Sequence, residues 1–195
     1  MMKKLSAVLA ISLLAASCAF AAPKGKALVA VFSKTGEQYA VGTIPEGNTM
    51  ILAKMIAEKT GADLFEIRTA KPYPEGYTVT TEIAKQELNA DVRPELAEDK
   101  DVKDYDTVFI GYPIWWGEPP MAVLTWLEAH DFKGKTVVPF ATHEGSGMGR
   151  SERTLKKALP AAKFASSLAV RGSTAQNDRG AAHKAVNAWL AKLGF

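Results

Sequence analysis

Five apolar runs alternate with five stretches of helical period along this chain. The runs are Lys26–Ser33, Ala62–Arg68, Asp106–Gly111, Lys135–Thr142 and Lys163–Arg171. The first, KALVAVFS, is short, valine-rich and free of any turn signal. Runs of this kind predict strands buried on both faces. Between them lie amphipathic stretches. Gly47-Asn48-Thr49 opens a helix with apolar residues at 50, 51, 52, 55 and 56, and Gly61 closes it as a natural C′ residue. Thr78–Asn89, Ala122–Ala129, Ser151–Leu159 and Asp178–Leu193 read as four more helices, the second of these entered through Pro119 and Pro120. Strict alternation of strand and helix argues for an α/β fold, an open parallel sheet with helices on both faces and right-handed crossovers.

In such a sheet, ligands sit beyond the carboxyl ends of the strands, where the strand order reverses. That directs attention to three loops: SKTGEQYAVGTIPEGNT, YPIWWGEPP and THEGSGMGRS. The loops at the opposite end, such as KTGAD and FKGK, are short and plain. In the first loop Ser33, Thr35, Asn48 and Thr49 supply hydroxyl and amide groups, and Gly36 and Gly47 let backbone come close. The loop ends at a helix N-terminus, where free N–H groups and the helix dipole favour an anion. It has neither the G-x-x-x-x-G-K-[ST] of a Walker loop nor the G-x-G-x-x-G of a dinucleotide loop. A monophosphate held by hydroxyls and backbone fits it; so does a helix merely capped by Asn48 or Thr49. The second loop places Trp115 and Trp116 next to Gly117, so that a flat face can stack on a planar ligand while the other indole packs beneath the loop. The third contributes His143, Gly145, Ser146 and Gly147. Taken alone, His143 reads either as a surface residue or as a base. A nucleophile elbow would need glycine where Glu144 stands, so a hydrolase built on His143 and Ser146 lacks its motif.

The remaining composition changes the picture at the N-terminus. MMKK, the apolar run LSAVLAISLLAAS and Ala19-Phe20-Ala21 form a signal peptide over residues 1–21, leaving a single domain over 22–195 and predicting an exported, periplasmic protein. Leu14 to Cys18 also resembles a lipoprotein box; in that alternative the chain is anchored to a membrane through Cys18. Either way the body holds no cysteine, which excludes disulfides, thiolate nucleophiles and cysteine-bound metals. Leaving out Lys3 and Lys4, 22 basic residues face 21 acidic ones. A nearly neutral domain with scattered charge is not a nucleic-acid binder.

An anion seat, a flat aromatic wall and a glycine-rich rim together answer to a phosphorylated planar ring. On these loops, and over about Lys26 to Leu193, the chain resembles the flavodoxin-like family. The resemblance implies a five-stranded sheet of order 2-1-3-4-5 and flavin mononucleotide (FMN) as cofactor. It further implies that Ser33, Lys34 and Thr35, with Gly47, Asn48 and Thr49, wrap the phosphate. Pro113, Ile114, Trp115, Trp116 and Gly117 would frame the ring, Trp116 as its main contact, and Thr142, His143, Gly145, Ser146 and Gly147 would cover its other edge. The implied role is an FMN-binding redox protein, an electron carrier or a small reductase of quinones or flavins, with an unidentified redox partner or small acceptor. A non-redox protein that keeps the fold for another phosphorylated or aromatic ligand is the alternative. Two departures stand out. Ten extra residues, Glu37 to Glu46, split the phosphate loop and bring Glu46 near the anion seat; they and Thr69–Tyr77 could build a second flat site from Tyr39, Tyr73 and Tyr77, if those rings are not loop packing. The domain also lacks the strong acidity of many electron carriers of this family.

Overall fold

The computed structural model describes residues 25–195, so the leader peptide and Cys18 lie outside the described residues. No helix among the described residues is long and apolar enough to cross a membrane.

The parallel sheet forms as the apolar runs predict. Its strands are β1 (Ala27–Val31), β4 (Asp63–Glu66), β5 (Thr107–Pro113), β6 (Thr136–His143), β7 (Lys163–Phe164) and β8 (Leu168–Arg171). The order is β4-β1-β5-β6-β7, with β8 also on β6 and every pairing parallel. Counting β7 and β8 as one broken strand, this is the expected order 2-1-3-4-5. Strand order reverses between β1 and β5, and that sets the place of the site.

The break in the fifth strand is a correction to the single run Lys163–Arg171. Between its two pairings β6 advances from Val137 to Phe140, whereas the partner advances from Phe164 to Leu168, one residue further. That is a bulge, and it lies beside Pro139, which has no N–H to give a ladder. The freed segment finds other partners: Ser166 O accepts from Trp189 Nε1 at 2.9 Å, and Ser167 Oγ donates to Glu152 at 2.8 Å.

Alternating residues of the central strands feed two cores. Leu28, Ala30, Val108, Ile110 and Tyr112 face α3 (Met121–Glu128) and α4 (Ser151–Ala158). Val29, Val31, Phe109, Val138 and Phe140 face α1 (Asn48–Thr60) and α6 (Arg179–Leu193). Helix α1 ends at Gly61 in the left-handed conformation, φ 69°, which glycine adopts without a Cβ penalty. Helix α2 (Tyr77–Asn89) is mostly polar, with only Thr80 and Ala84 buried.

Two elements depart from the alternating pattern. Residues 36–44, read as loop, form a hairpin of β2 (Gly36–Gln38) and β3 (Gly42–Ile44). A short helix, α5 (Gly172–Asn177), follows β8 and brings the count among the described residues to six helices. Neither carries an apolar period long enough to be read from sequence.

Candidate functional site

A cleft of about 320 Å³ opens at the carboxyl ends of β5 and β6, beside the start of α1. Its inner end is built on the N-terminus of α1. Gly47 is the N-cap residue and has no side chain to offer. The cap comes from across the loop, because Met50 N donates to Ser33 Oγ at 3.0 Å. This corrects the reading of Asn48 or Thr49 as the cap. Thr49 is buried instead, with its hydroxyl 2.7 Å from that of Thr142, which ties the helix start to the end of β6. Ser33 and Gly47 meet because the hairpin leaves and re-enters at adjacent points, so the ten-residue insert does not separate the two halves of the loop. A Cβ on Gly47 would overlap Ser33 Oγ and stand 2.7 Å from Lys34 O, so only glycine allows this approach.

Asn48 carries a signal of a different kind. It lines the cleft, yet its Oδ1 is buried without a hydrogen-bond partner among the described residues. A buried unpaired acceptor costs about 1–3 kcal/mol, and at a cleft wall it marks a place where a ligand donor belongs. The anticipated repulsion from Glu46 does not arise. Its carboxylate is held by Lys54 at 2.6 Å and Arg179 at 3.2 Å, and those two bonds keep it below the usual carboxylate range. Lys34 points elsewhere, donating to the carbonyls of Thr35 and Glu75.

The two tryptophans divide their roles by backbone geometry. Trp115 N donates to Glu118 O at 2.9 Å and Glu118 N returns to Trp115 O at 3.0 Å. The two residues between have positive φ, 53° at Trp116 and 82° at Gly117. This is a mirror-image hairpin turn, ordinarily made by Asn-Gly. A tryptophan there carries backbone strain of about 1–2 kcal/mol, of the kind that persists at binding sites. Trp115 packs edge-on against Phe32 and Tyr73, with centroids at 5.3 and 5.1 Å. Trp116 is thrown outward and stays 48% exposed along the cleft. Its Nε1 donates to Thr81 O of α2 at 2.8 Å, and Lys85 Nζ lies 4.8 Å from its ring centre. The turn is clamped from behind. Arg150 N donates to Gly117 O at 2.7 Å, its guanidinium to Trp116 O and to buried Glu118, and Thr154 also donates to Glu118.

The third loop supplies one directed polar group. Nδ1 of His143 accepts from Gly145 N at 2.8 Å and Gly147 N at 3.1 Å. With Nδ1 an acceptor, the ring proton sits on Nε2. Burial first, and the Arg171 charge second, hold the imidazole below its ordinary value, so it is neutral at pH 7. Glu144 is bound by Ser173 through its N–H at 2.6 Å and its hydroxyl at 2.9 Å. Ser146 Oγ reaches only Gly147 O, at 3.4 Å, and makes no bond to His143 among the described residues. That geometry gives no activated serine.

Of the residues named from sequence, Asn48, Pro113, Ile114, Trp115, Trp116, Thr142 and His143 line the cleft. Ser33, Gly47 and Thr49 lie immediately behind Asn48, holding α1 in place. Lys34, Thr35, Gly117, Gly145, Ser146 and Gly147 form the surrounding loops without lining this cleft. Sequence reasoning missed Thr81, Ala84, Glu144 and Gly172, which do line it. Tyr77, Thr81 and Ala84 share one face of α2 at helical spacing, a legible sign; Gly172 had none beyond following a strand. Tyr39 and Tyr77 are also wall residues, whereas Tyr73 belongs to the core and donates to Glu87 at 2.6 Å.

A doubly wound parallel sheet with a helix N-terminus, an exposed indole and a histidine donor around its switch point defines a ligand-binding α/β protein. A family model described as flavodoxin matches residues 26–190, and the chain belongs to that family. Comparison with curated proteins gave no match. Among solved structures, the chain is similar to a presumptive flavoprotein from Bacteroides eggerthii, 34% identical, TM-score 0.70, over 88% of this chain and 99% of that one. A second presumptive flavoprotein, from Bacteroides uniformis, is 30% identical, TM-score 0.70, over 87% and 99% of the two chains. A flavoprotein from Lactobacillus acidophilus, solved in complex with FMN, shares the fold at 20% identity and TM-score 0.61, over 86% and 99%.

Proposed function

We propose that this protein binds FMN in the cleft and works as a redox protein through it. The observation that carries the reading is Asn48 Oδ1, a buried acceptor without a partner, beside the glycine-lined start of α1. Three further features fit FMN. The N-terminal amides of α1 face the place where a phosphate is favoured by the helix dipole. Trp116 offers a flat face to a ring, held by Thr81 and the Arg150 clamp. His143 brings a single N–H, on Nε2, to the same cleft. The FMN complex of the Lactobacillus acidophilus flavoprotein supports the same choice at the level of fold.

FMN, when bound, supplies electron transfer in one- or two-electron steps. The chain's own part is positional. Ser33 fixes the first turn of α1 by accepting from Met50 N, and Thr49 with Thr142 locks that turn to β6. Asn48 accepts a ligand hydroxyl or amide. His143 holds its proton on Nε2 as a donor and, being neutral, adds no fixed charge to the ring. Trp116 and Trp115 keep water from one side of it. Residues 1–21 support export to the periplasm with cleavage after Ala21, leaving a flavoprotein that acts outside the cytoplasm. Mass analysis of the secreted chain tests this: a mature N-terminus at Ala22 is expected, and a lipidated Cys18 would replace it with a membrane-anchored form.

Titration of the mature chain with FMN and with riboflavin, followed by flavin fluorescence quenching, tests the cofactor. Tight FMN binding with riboflavin at least about tenfold weaker is expected if the helix N-terminus holds a phosphate. Absence of binding by either would refute the reading.

A further inference from the structure

A second hollow, of about 640 Å³, lies against another face of α2 and shares no lining residue with the cofactor cleft. Tyr77, Thr81 and Ala84 of that helix line the cleft, whereas Ile83 and Glu87, four positions apart, line the hollow. The other walls come from two connections. Residues 67–76 lead from β4 to α2, and residues 90–106 lead from α2 to β5. An antiparallel bridge between Thr69 and Leu96 fastens one to the other, with Ala70 N donating to Glu95 O at 2.9 Å and Ala97 N to Arg68 O at 2.8 Å. The second connection is longer than compact domains ordinarily use without a helix or strand of its own. Loops of that length are functional or disordered as a rule, and this one is pinned in place.

The lining combines apolar walls with one carboxylate. Pro72, Pro74 and Pro94 present rings without an N–H, and Ile83 and Val92 add apolar surface, Val92 remaining 41% exposed. Glu87 is half-buried among them. Its Oε2 accepts from the Tyr73 hydroxyl at 2.6 Å, while Oε1 makes no hydrogen bond among the described residues. Burial pushes its carboxyl above the usual range, and the Tyr73 bond pulls the other way. A glutamine would accept the same bond without taking a charge out of water, so serving the tyrosine does not account for an acid here. Lys71 also lines the hollow, but it is exposed and does not offset the burial of Glu87; exposed Glu95 opposes its charge.

A half-buried carboxylate with one free oxygen and no cation of its own is matched by a positive donor from outside. Apolar walls around it are matched by a hydrocarbon stem. No group of three metal-ligating side chains occurs among the described residues, and that favours an organic cation over a metal ion. We propose that this hollow is a binding site for a small organic cation, a protonated amine on an apolar stem, with Glu87 Oε1 accepting from the ammonium and the three prolines and Ile83 enclosing the stem. The site stands independently of the cofactor reading. Tyr73 joins the two places, since its ring also packs on Trp115 with centroids at 5.1 Å.

Isothermal titration of the flavin-free mature chain with 2-phenylethylamine, and with 2-phenylethanol as its uncharged counterpart, tests the site. The amine should bind at least about tenfold more tightly than the alcohol, as a hydrogen bond to a desolvated carboxylate requires. Glu87→Gln keeps an acceptor for Tyr73 and removes the charge. It should abolish the preference for the amine while its urea midpoint stays no lower than the parent's. Ile83→Ala should weaken amine and alcohol alike, by about threefold or more. Added FMN should leave the amine affinity within about threefold. Absence of saturable amine binding by the parent would overturn the proposal. So would equal amine affinity in the parent and Glu87→Gln, or displacement of the amine by FMN, which would put it in the cofactor cleft.

Discussion

Replacing Trp116 by asparagine should separate binding from stability. The backbone at this position has φ 53°, which asparagine adopts more readily than tryptophan. Relief of that strain is worth about 1 kcal/mol, the lower end for a left-handed residue. Against it stand two losses. The Nε1 bond to Thr81 O is exposed and contributes about 0.5–1.5 kcal/mol. The Lys85 contact with the ring, also exposed, contributes about 0.5–1 kcal/mol. The gain offsets most of the loss, so the stability read by urea unfolding of the flavin-free chain should fall by no more than about 1.5 kcal/mol. FMN affinity should meanwhile fall about tenfold through loss of the stacking face. The neighbouring residue supplies the contrast. Trp115→Ala removes a ring wedged between Phe32 and Tyr73 and should cost about 3 kcal/mol of stability, the low end for an aromatic truncation. A destabilisation of Trp116→Asn comparable with that of Trp115→Ala would refute the division of roles between the two indoles. Unchanged FMN affinity in Trp116→Asn would refute the stacking wall.

Three further outcomes follow from the geometry. Ser33→Ala leaves Met50 N without its acceptor at the start of α1 and should lower stability by about 1 kcal/mol, read by urea denaturation, with weaker FMN binding beside it. Gly47→Ala forces a Cβ into Ser33 Oγ and the Lys34 carbonyl, so FMN quenching should be lost even where circular dichroism still reports a folded chain. The folded chain holds His143 below its ordinary value, so the unfolded chain takes up a proton more readily. The contribution of this residue to stability is therefore present above the ordinary histidine value and is lost as pH falls through the lower folded one. His143→Asn keeps an acceptor for the Gly145 and Gly147 amides but cannot titrate, and should flatten the fall of the unfolding free energy as pH drops below the ordinary histidine value, relative to the parent; an unaltered slope would assign that pH dependence elsewhere.

What the sequence determined by itself was everything that depends on local pattern. Short, valine-rich apolar runs bounded by turn signals read as strands buried on both faces, and their alternation with amphipathic stretches leaves little choice but a parallel sheet with helices on each side. The three informative loops followed from residues close together in the chain, and the order of that sheet came only through the family resemblance those loops carry. The sequence also named Trp116, beside Gly117, as the ring contact and left both alternatives open for the tyrosines. The tertiary structure supplied the reason for the first and decided the second. Trp116, not Trp115, is turned outward because Glu118 closes a mirror-image turn that Arg150 and Thr154 hold from a helix 30-odd positions away. Tyr73 is in the core while Tyr39 and Tyr77 stand at the cleft, because the hairpin docks on the start of α2 through Glu37. The cap of α1 comes from Ser33, and the feared charge of Glu46 is cancelled by Lys54 and Arg179, the latter 133 positions distant. These are contacts between remote segments. No periodicity encodes them, since they exist only once the sheet has brought its loops to one edge.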